Sequence, residues 1–309
     1  MFCPRIGTYL FIDKNSLSIC CEPNRTTIKH TANIEDSIKA YYDLCETLNY
    51  KLSVGEKTRC DGCAILKEGV GTPTLKIDLV RFGSGLRGAT RCNFLCNYCV
   101  YGEHNGKING IDMSILDVLN FMETHLMITK IDYYGGELLV SEDRDKIINI
   151  FRRNDWSIRI GTNCSIFSEN LFDLIKQKKT MLEVSLDAGT ELTFSKLKGV
   201  NLFEKVKRNL LRYASASNGS MIHLKYILFD RINDDDKNIN GFIDIISKVN
   251  PGKVVIAHDV RSRMILSDRE KNDINLLVLK CQKERIPISV QTNGFNNSDL
   301  PFLKELELY

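Results

Sequence analysis

The chain has 309 residues, 43% of them hydrophobic and 26% charged, enough to bury a core without help from disulfides or structural metals. Its 42 basic and 39 acidic side chains leave a formal charge of +3, too little for the broad basic field of a dedicated nucleic-acid binder. No apolar run reaches the roughly 18 residues that cross a bilayer, and the opening Met1-Phe2-Cys3-Pro4-Arg5 lacks the apolar core of a secretory signal. The expectation is a cytoplasmic protein with no membrane partner, in which the eleven cysteines serve as metal ligands or buried thiols rather than as a disulfide framework.

The first 71 residues have a rhythm of their own. Tyr9 to Asp13 and Leu17 to Cys20 read as a hairpin turning at Lys14-Asn15, followed by a helix from Ile34 to Leu48 and a turn-rich stretch. Cys45 shares a helical face with Ile34, Ile38 and Leu48 and reads as core. Cys60-Asp61-Gly62-Cys63 is a two-thiol knuckle, and Cys3 with Cys20 or Cys21 completes the four thiolates of a metal site. Residues 1–71 are therefore predicted to be a small cysteine-rich α+β module that binds a metal or cluster.

Residues 72–309 alternate short apolar runs with amphipathic helical patterns. Leu75 to Phe82, Ile131 to Tyr134, Ile158 to Thr162, Leu182 to Leu186, Ile222 to Phe229 and Val254 to Ala257 read as strands. Ile288 to Gln291 adds a strand that Pro287 places at an edge. Helix starts are expected at Asn201 with Glu204 and at Ser267 with Glu270, where a capping side chain precedes a carboxylate by three residues. Asp234-Asp235-Asp236 reads as a solvated helix start. Strand then helix, six times over, predicts an α/β fold with a parallel sheet curled into a full or partial barrel, its ligands at the C-terminal ends of the strands.

The loop after the first of these strands is rich in glycine (Gly83, Gly85, Gly88) and carries Arg91-Cys92-Asn93-Phe94-Leu95-Cys96-Asn97-Tyr98-Cys99. Soft thiolates at this density select zinc or an iron–sulfur cluster, and a structural zinc wants four ligands where the loop supplies three. A cubane of four irons on three thiolates keeps one iron open to a substrate or cofactor. Three cysteines separated by three and two residues, with aromatic Tyr98 before the last, resemble the signature of radical S-adenosylmethionine (radical SAM) enzymes.

That resemblance implies a partial (β/α)6 radical SAM barrel and a [4Fe-4S] cluster held by Cys92, Cys96 and Cys99. In the family the open iron chelates S-adenosylmethionine, and an electron from the reduced cluster cleaves it to methionine and a 5′-deoxyadenosyl radical that takes hydrogen from substrate. Tyr134-Gly135-Gly136-Glu137, at the end of the second strand, resembles the family's Gly-Gly-Glu element, with glycines that let the backbone approach a ligand and a carboxylate that accepts from an ammonium group. By the same resemblance Tyr98, Thr162, Asn163, Ser185, Asp187 and Lys225 contact the cofactor. For Ser185 and Asp187 the plain alternative is hydrogen bonding within a strand-to-loop turn. Lys225 is costly in an apolar strand unless it meets a carboxylate, and His258 with Asp259 ends the sixth strand facing either substrate or solvent. Cys164 is a candidate hydrogen-atom donor.

The N-terminal thiols look like a SPASM or twitch module, which carries an auxiliary [4Fe-4S] cluster; zinc is the competing occupant. In the family such modules usually follow the barrel, whereas this one precedes it. The leading expectation is radical modification of a peptide or protein (epimerisation, crosslinking or oxidation), with flavodoxin or ferredoxin as electron donor. The alternative substrate is a sugar, sugar nucleotide or other small metabolite, and a reading of another class is a non-catalytic iron–sulfur or zinc protein.

Overall fold

The computed structural model describes the chain apart from residues 14–15, 21–25, 30–32, 64, 70–74, 84, 88, 90, 100–112, 263 and 309, and the side chain of Asn293. The expected turn at Lys14-Asn15, the boundary at residues 71 and 72, Gly88 and Cys21 lie outside or against these described residues. Contacts divide the chain into two compact units, Met1–Cys92 with Asn105–Arg159, and Asn93–His104 with Ile160–Tyr309.

In the first unit, β1 (Tyr9–Asp13), β2 (Ser16–Ser18) and β3 (Thr27–Lys29) form antiparallel neighbours, as expected for the hairpin. β1 also pairs in parallel with β4 (Leu79–Phe82), which pairs in parallel with β5 (Lys130–Tyr133). The local order is thus β3-β2-β1-β4-β5. Helix α1 (Ile34–Ser53) begins where Asn33 accepts from the amides of Glu35 and Asp36, and it runs one turn further than the sequence predicts. Its Cys45 is fully buried, as expected of a core thiol. The helices α2 (Ile115–His125) and α3 (Arg144–Arg153) follow β4 and β5. Strand alternation sends Val80, Phe82, Ile131 and Tyr133 to one buried face, and Leu119, Met122, Ile147 and Phe151 of the helices are buried as well.

β6 (Ser157–Thr162) carries the chain from the first unit into the second. There β7 (Thr180–Ser185), β8 (Ile222–Leu228), β9 (Lys253–His258) and β10 (Ile288–Gln291) pair in parallel in that order. Between them lie α4 (Glu169–Lys176), α5 (Glu191–Lys198), α6 (Phe203–Ser215), α7 (Asp236–Val249) and α8 (Asp268–Glu284), with α9 (Leu300–Glu305) last. The six predicted strand–helix repeats are all present. In β8 the residues Ile222, Leu224, Tyr226 and Leu228 are buried, while His223, Lys225 and Ile227 alternate onto a half-buried face. Tyr226 packs against Phe242 of α7, ring centres 4.6 Å apart.

The capping box at Ser267 and Glu270 is present as expected. The one at Asn201 is not: α6 starts after Leu202 without a side-chain cap, and Asn201 instead accepts from the Ser195 hydroxyl at 3.4 Å. At α7 the cap is Asp235, whereas Asp234 is 2% exposed rather than solvated, because it turns inward under α8 towards Arg269 and Asp273.

Candidate active site

In the first unit the Gly-Gly-Glu element follows β5 directly and lies against the start of the cysteine loop. A Cβ on Gly135 would stand 2.0 Å from the carbonyl oxygen of Gly83, so only glycine allows the two backbones to approach this closely. Gly136 has φ +59°, in the left-handed region. The turn thereby delivers the Glu137 amide to the carbonyl of Arg91 at 2.8 Å, one residue before Cys92. Glu137 is 2% exposed, and its side chain caps the following turn through the Leu139 amide. The sequence assigned these glycines to a ligand; their immediate partner is backbone.

In the second unit the rest of the cysteine loop is tied down at several points. The Leu95 amide donates to the carbonyl of Lys198 at 3.0 Å and that of Asn97 to Leu197 at 3.2 Å. Gly199 ends α5 at φ +68°, where a Cβ would press on Leu95 at 2.7 Å. Asn93 bonds to Asn163 and to the Ser165 hydroxyl, each at 2.9 Å. Arg261 donates to the carbonyl of Asn97 at 2.8 Å while Asp259 grips its guanidinium. The Asp259–Arg261 pair holds the Asp259 carboxyl below its usual range despite burial. Asp259, left open between substrate and solvent by the sequence, thus braces the loop. The Cys99 amide closes a turn onto the carbonyl of Cys96 at 3.2 Å.

Tyr98 points inward, its ring 4.8 Å from that of Phe229. Its hydroxyl meets the Asp187 carboxylate and the Lys198 ammonium. Burial, Asp187 and the thiols of Cys96 and Cys99 together push the Tyr98 phenol well up from its ordinary pKa. Asp187 is fully buried at φ +57°, and its other oxygen accepts from the Ile227 amide at 2.8 Å. Ser185 offers its carbonyl to Lys198 at 2.7 Å. Lys198 was not singled out from the sequence.

Of the remaining predicted positions, Thr162 and His258 end their strands and Lys225 lies in the middle of β8. Thr162 accepts from the Cys164 amide at 3.1 Å. Cys164 is fully buried at φ +56°, and Asn209 donates to its carbonyl, so this thiol has no exposed surface from which to hand on a hydrogen atom. Lys225 meets the amide oxygen of Gln291 at 2.5 Å rather than a carboxylate. His258 is buried against Glu270 at 3.1 Å.

The His258–Glu270 pair has a signed pH consequence. Burial disfavours the imidazolium, but the hydrogen bond and charge of Glu270 raise the His258 pKa above its usual value. Burial likewise opposes the Glu270 charge, yet His258 and Ser267 bring its pKa below the usual value. Stability from His258 is full below about pH 6.5 and fades as pH rises through the folded pKa; that from Glu270 is full above about pH 4.5 and fades as pH falls. Thermal melts across this range should show a maximum between the two, and Glu270→Gln should flatten the curve and lower stability by about 3 kcal/mol near pH 6.

The N-terminal knuckle forms a closed turn. Burial and the thiols of Cys3 and Cys63 raise the Cys60 pKa, and Gly62 at φ +76° bends the knuckle so that the Cys63 amide reaches the carbonyl of Cys60 at 2.9 Å. Phe2 and Lys67 exchange two backbone hydrogen bonds at 2.9 Å, which bring Cys3 alongside. Cys20 follows β2, its carbonyl accepting from Ser18. All the described cysteines are present as thiols. Among the described residues, no three histidine, cysteine or carboxylate groups stand close enough to grip a metal ion as they are.

A model of the radical SAM superfamily matches residues 87–243, just over half of the chain and including the whole cysteine loop and the Gly-Gly-Glu turn. The chain belongs to the radical SAM superfamily. It is thus an enzyme of the radical SAM type, and its cofactors are a [4Fe-4S] cluster and S-adenosylmethionine. GTP 3′,8-cyclase of Clostridium acetobutylicum is 29% identical over 166 residues, 50% of this chain and 49% of that protein. The cyclase of Campylobacter curvus is 27% identical over 195 residues, 51% of this chain and 60% of that protein. The chain spans about half the length of the curated relatives it matches. Among solved structures, Streptococcus suis SuiB bound to precursor peptide SuiA matches 91% of this chain and 71% of its own, with a TM-score of 0.53 at 11% identity. SuiB bound to S-adenosylmethionine gives 0.51 at 12% identity, over 91% and 70%. These structures share the radical SAM fold. Such enzymes take a peptide or small-molecule substrate and an electron donor. No helix among the described residues is long and apolar enough to cross a membrane.

Proposed function

We propose that this radical SAM chain modifies a peptide or protein, with Cys92, Cys96 and Cys99 holding the catalytic cluster and the N-terminal thiols holding an auxiliary one. The observation that carries the two-cluster reading is the turned Cys60–Cys63 knuckle, closed by the Cys63 amide on the carbonyl of Cys60 at 2.9 Å, with the Phe2–Lys67 backbone pair next to Cys3 in the chain. Soft thiolates in this number suit an iron–sulfur cluster, or zinc in its place. Cys20 or Cys21 supplies the fourth ligand, Cys21 lying outside the described residues. Residues 1–71 act as the auxiliary module.

When bound, the catalytic cluster and S-adenosylmethionine supply the electron and the 5′-deoxyadenosyl radical that takes hydrogen from substrate. The chain's own residues hold the two parts of the loop, each within its own unit. Gly135, Gly136 and Glu137 form the turn beside Cys92, Tyr98 and Asn163 keep the loop and the end of β6 in place, Thr162 and Ser185 present polar groups at strand ends, where a cofactor binds, and Lys225 does so from within β8. A flavodoxin or ferredoxin of the cytoplasm provides the electron.

A second reading has a nucleotide, sugar nucleotide or other small metabolite as substrate, favoured by the sequence likeness to GTP 3′,8-cyclases. Incubation of the reconstituted enzyme with candidate peptides and with nucleoside triphosphates separates the two: the substrate that accelerates formation of 5′-deoxyadenosine and changes mass is the one used. For the auxiliary site, iron per chain should fall by about half in Cys60→Ala/Cys63→Ala while the catalytic cluster's signal persists. An unchanged iron content would remove the second cluster.

A further inference from the structure

Lys198 is the one lysine among the described residues whose side chain is nearly sealed from solvent, 4% exposed, and it sits beside a carboxylate that is 0% exposed. Burying an ammonium costs several kcal/mol unless charge and hydrogen bonds compensate. Here all three of its donors are used: Asp187 at 2.6 Å, the Ser185 carbonyl at 2.7 Å and the Tyr98 hydroxyl. Asp187 in turn accepts from Tyr98 and from the Ile227 amide. A charged pair this completely satisfied fixes one arrangement of everything that touches it. What it touches is the cysteine loop, through Tyr98 between Cys96 and Cys99, and through the Lys198 and Leu197 carbonyls that receive the Leu95 and Asn97 amides.

We propose that Lys198 is a positioning residue for the iron–sulfur loop: it locks the Cys96–Cys99 turn through Tyr98 and Asp187, and its charge cancels a buried carboxylate that the cluster would otherwise feel. The inference rests on reading the three loop cysteines as cluster ligands. Asp187, expected from the family resemblance to touch the cofactor, then works through the loop instead, since both its oxygens are engaged inside the fold. The electrostatic half follows from Coulomb's law in a poorly screened interior. Adding an electron to a cluster is harder beside an uncompensated negative charge, so the Lys198–Asp187 pair, neutral as a whole, keeps the cluster reducible.

The test uses the full chain, with and without reconstituted iron. Lys198→Met removes the ammonium and leaves Asp187 buried; Lys198→Met with Asp187→Asn removes both charges. In both variants the Leu95 and Asn97 amides should exchange with solvent about tenfold faster or more than in the wild type, with or without iron. The cluster's midpoint potential should drop in Lys198→Met and return towards the wild-type value in the double variant. Lys198→Arg should restore loop protection at least in part. Wild-type loop protection in Lys198→Met, or in the double variant should the single one not fold, overturns the lock. A potential that is the same in single and double variants overturns the charge role. Failure of the wild type to give the spectrum of a four-iron cluster would defeat the ligand reading instead, and the exchange rates of the iron-free chain would still decide the lock.

Discussion

Cys96→Ala is expected to abolish reductive cleavage of S-adenosylmethionine, with 5′-deoxyadenosine falling below detection in an anaerobic assay where the wild type turns over. Cys96 is the middle of three thiolates on a loop whose two ends are anchored in different ways: the Arg91 carbonyl to the Glu137 amide, and the Leu95 and Asn97 amides to α5. Within the second unit, Cys164 and Cys281 are fully buried and cannot replace it. The loss should be chemical rather than structural, because Cys96 is partly exposed and its removal leaves the backbone ties intact. A thermal midpoint near that of the iron-free wild type would accompany the loss. Retained product would show that this loop does not hold the cluster.

Gly135→Ala should have the largest effect on folding. The new methyl would lie 2.0 Å from the Gly83 carbonyl oxygen and 3.3 Å from that of Ala89, and neither is the flexible end of a side chain. The β4 and β5 ends must part, at a cost of about 3 kcal/mol. The same movement withdraws the Glu137 amide from Arg91, so iron bound on reconstitution should fall too. Gly136→Ala is the control. It asks a side chain to adopt the left-handed region at φ +59°, which costs about 1 kcal/mol, and it should lower the melting midpoint less. Denaturant titration of both variants separates the two costs.

How far the sequence reaches is clear from these residues. The three-and-two spacing of the thiols and the six apolar runs are local patterns, and local patterns survive without the fold. The Gly-Gly-Glu element was legible as a turn at the end of β5, but not the reason for Gly135: that needs Gly83, 52 positions away, to be known as its neighbour. Lys198 was invisible for the same reason. In Ser195-Lys196-Leu197-Lys198-Gly199 it reads as one more solvated lysine at a helix end, where positive charge suits the dipole, and only the return of Tyr98 from a hundred residues earlier buries it. Asn201 fails as a cap because Ser195 competes for its oxygen, and Asp234 departs from a solvated start because α8 covers it. The N-terminal knuckle was readable from Cys60 and Cys63, while the approach of Cys3 depended on the Phe2–Lys67 bridge.

The central claim is that one iron of the cluster has no protein ligand. Mössbauer spectroscopy of the reconstituted chain, with and without S-adenosylmethionine, tests it directly. With the auxiliary site removed by Cys60→Ala/Cys63→Ala, a four-iron spectrum is expected in which a single iron site changes its parameters when S-adenosylmethionine is added. Four sites indifferent to the addition, or a pocket filled by zinc, would contradict it.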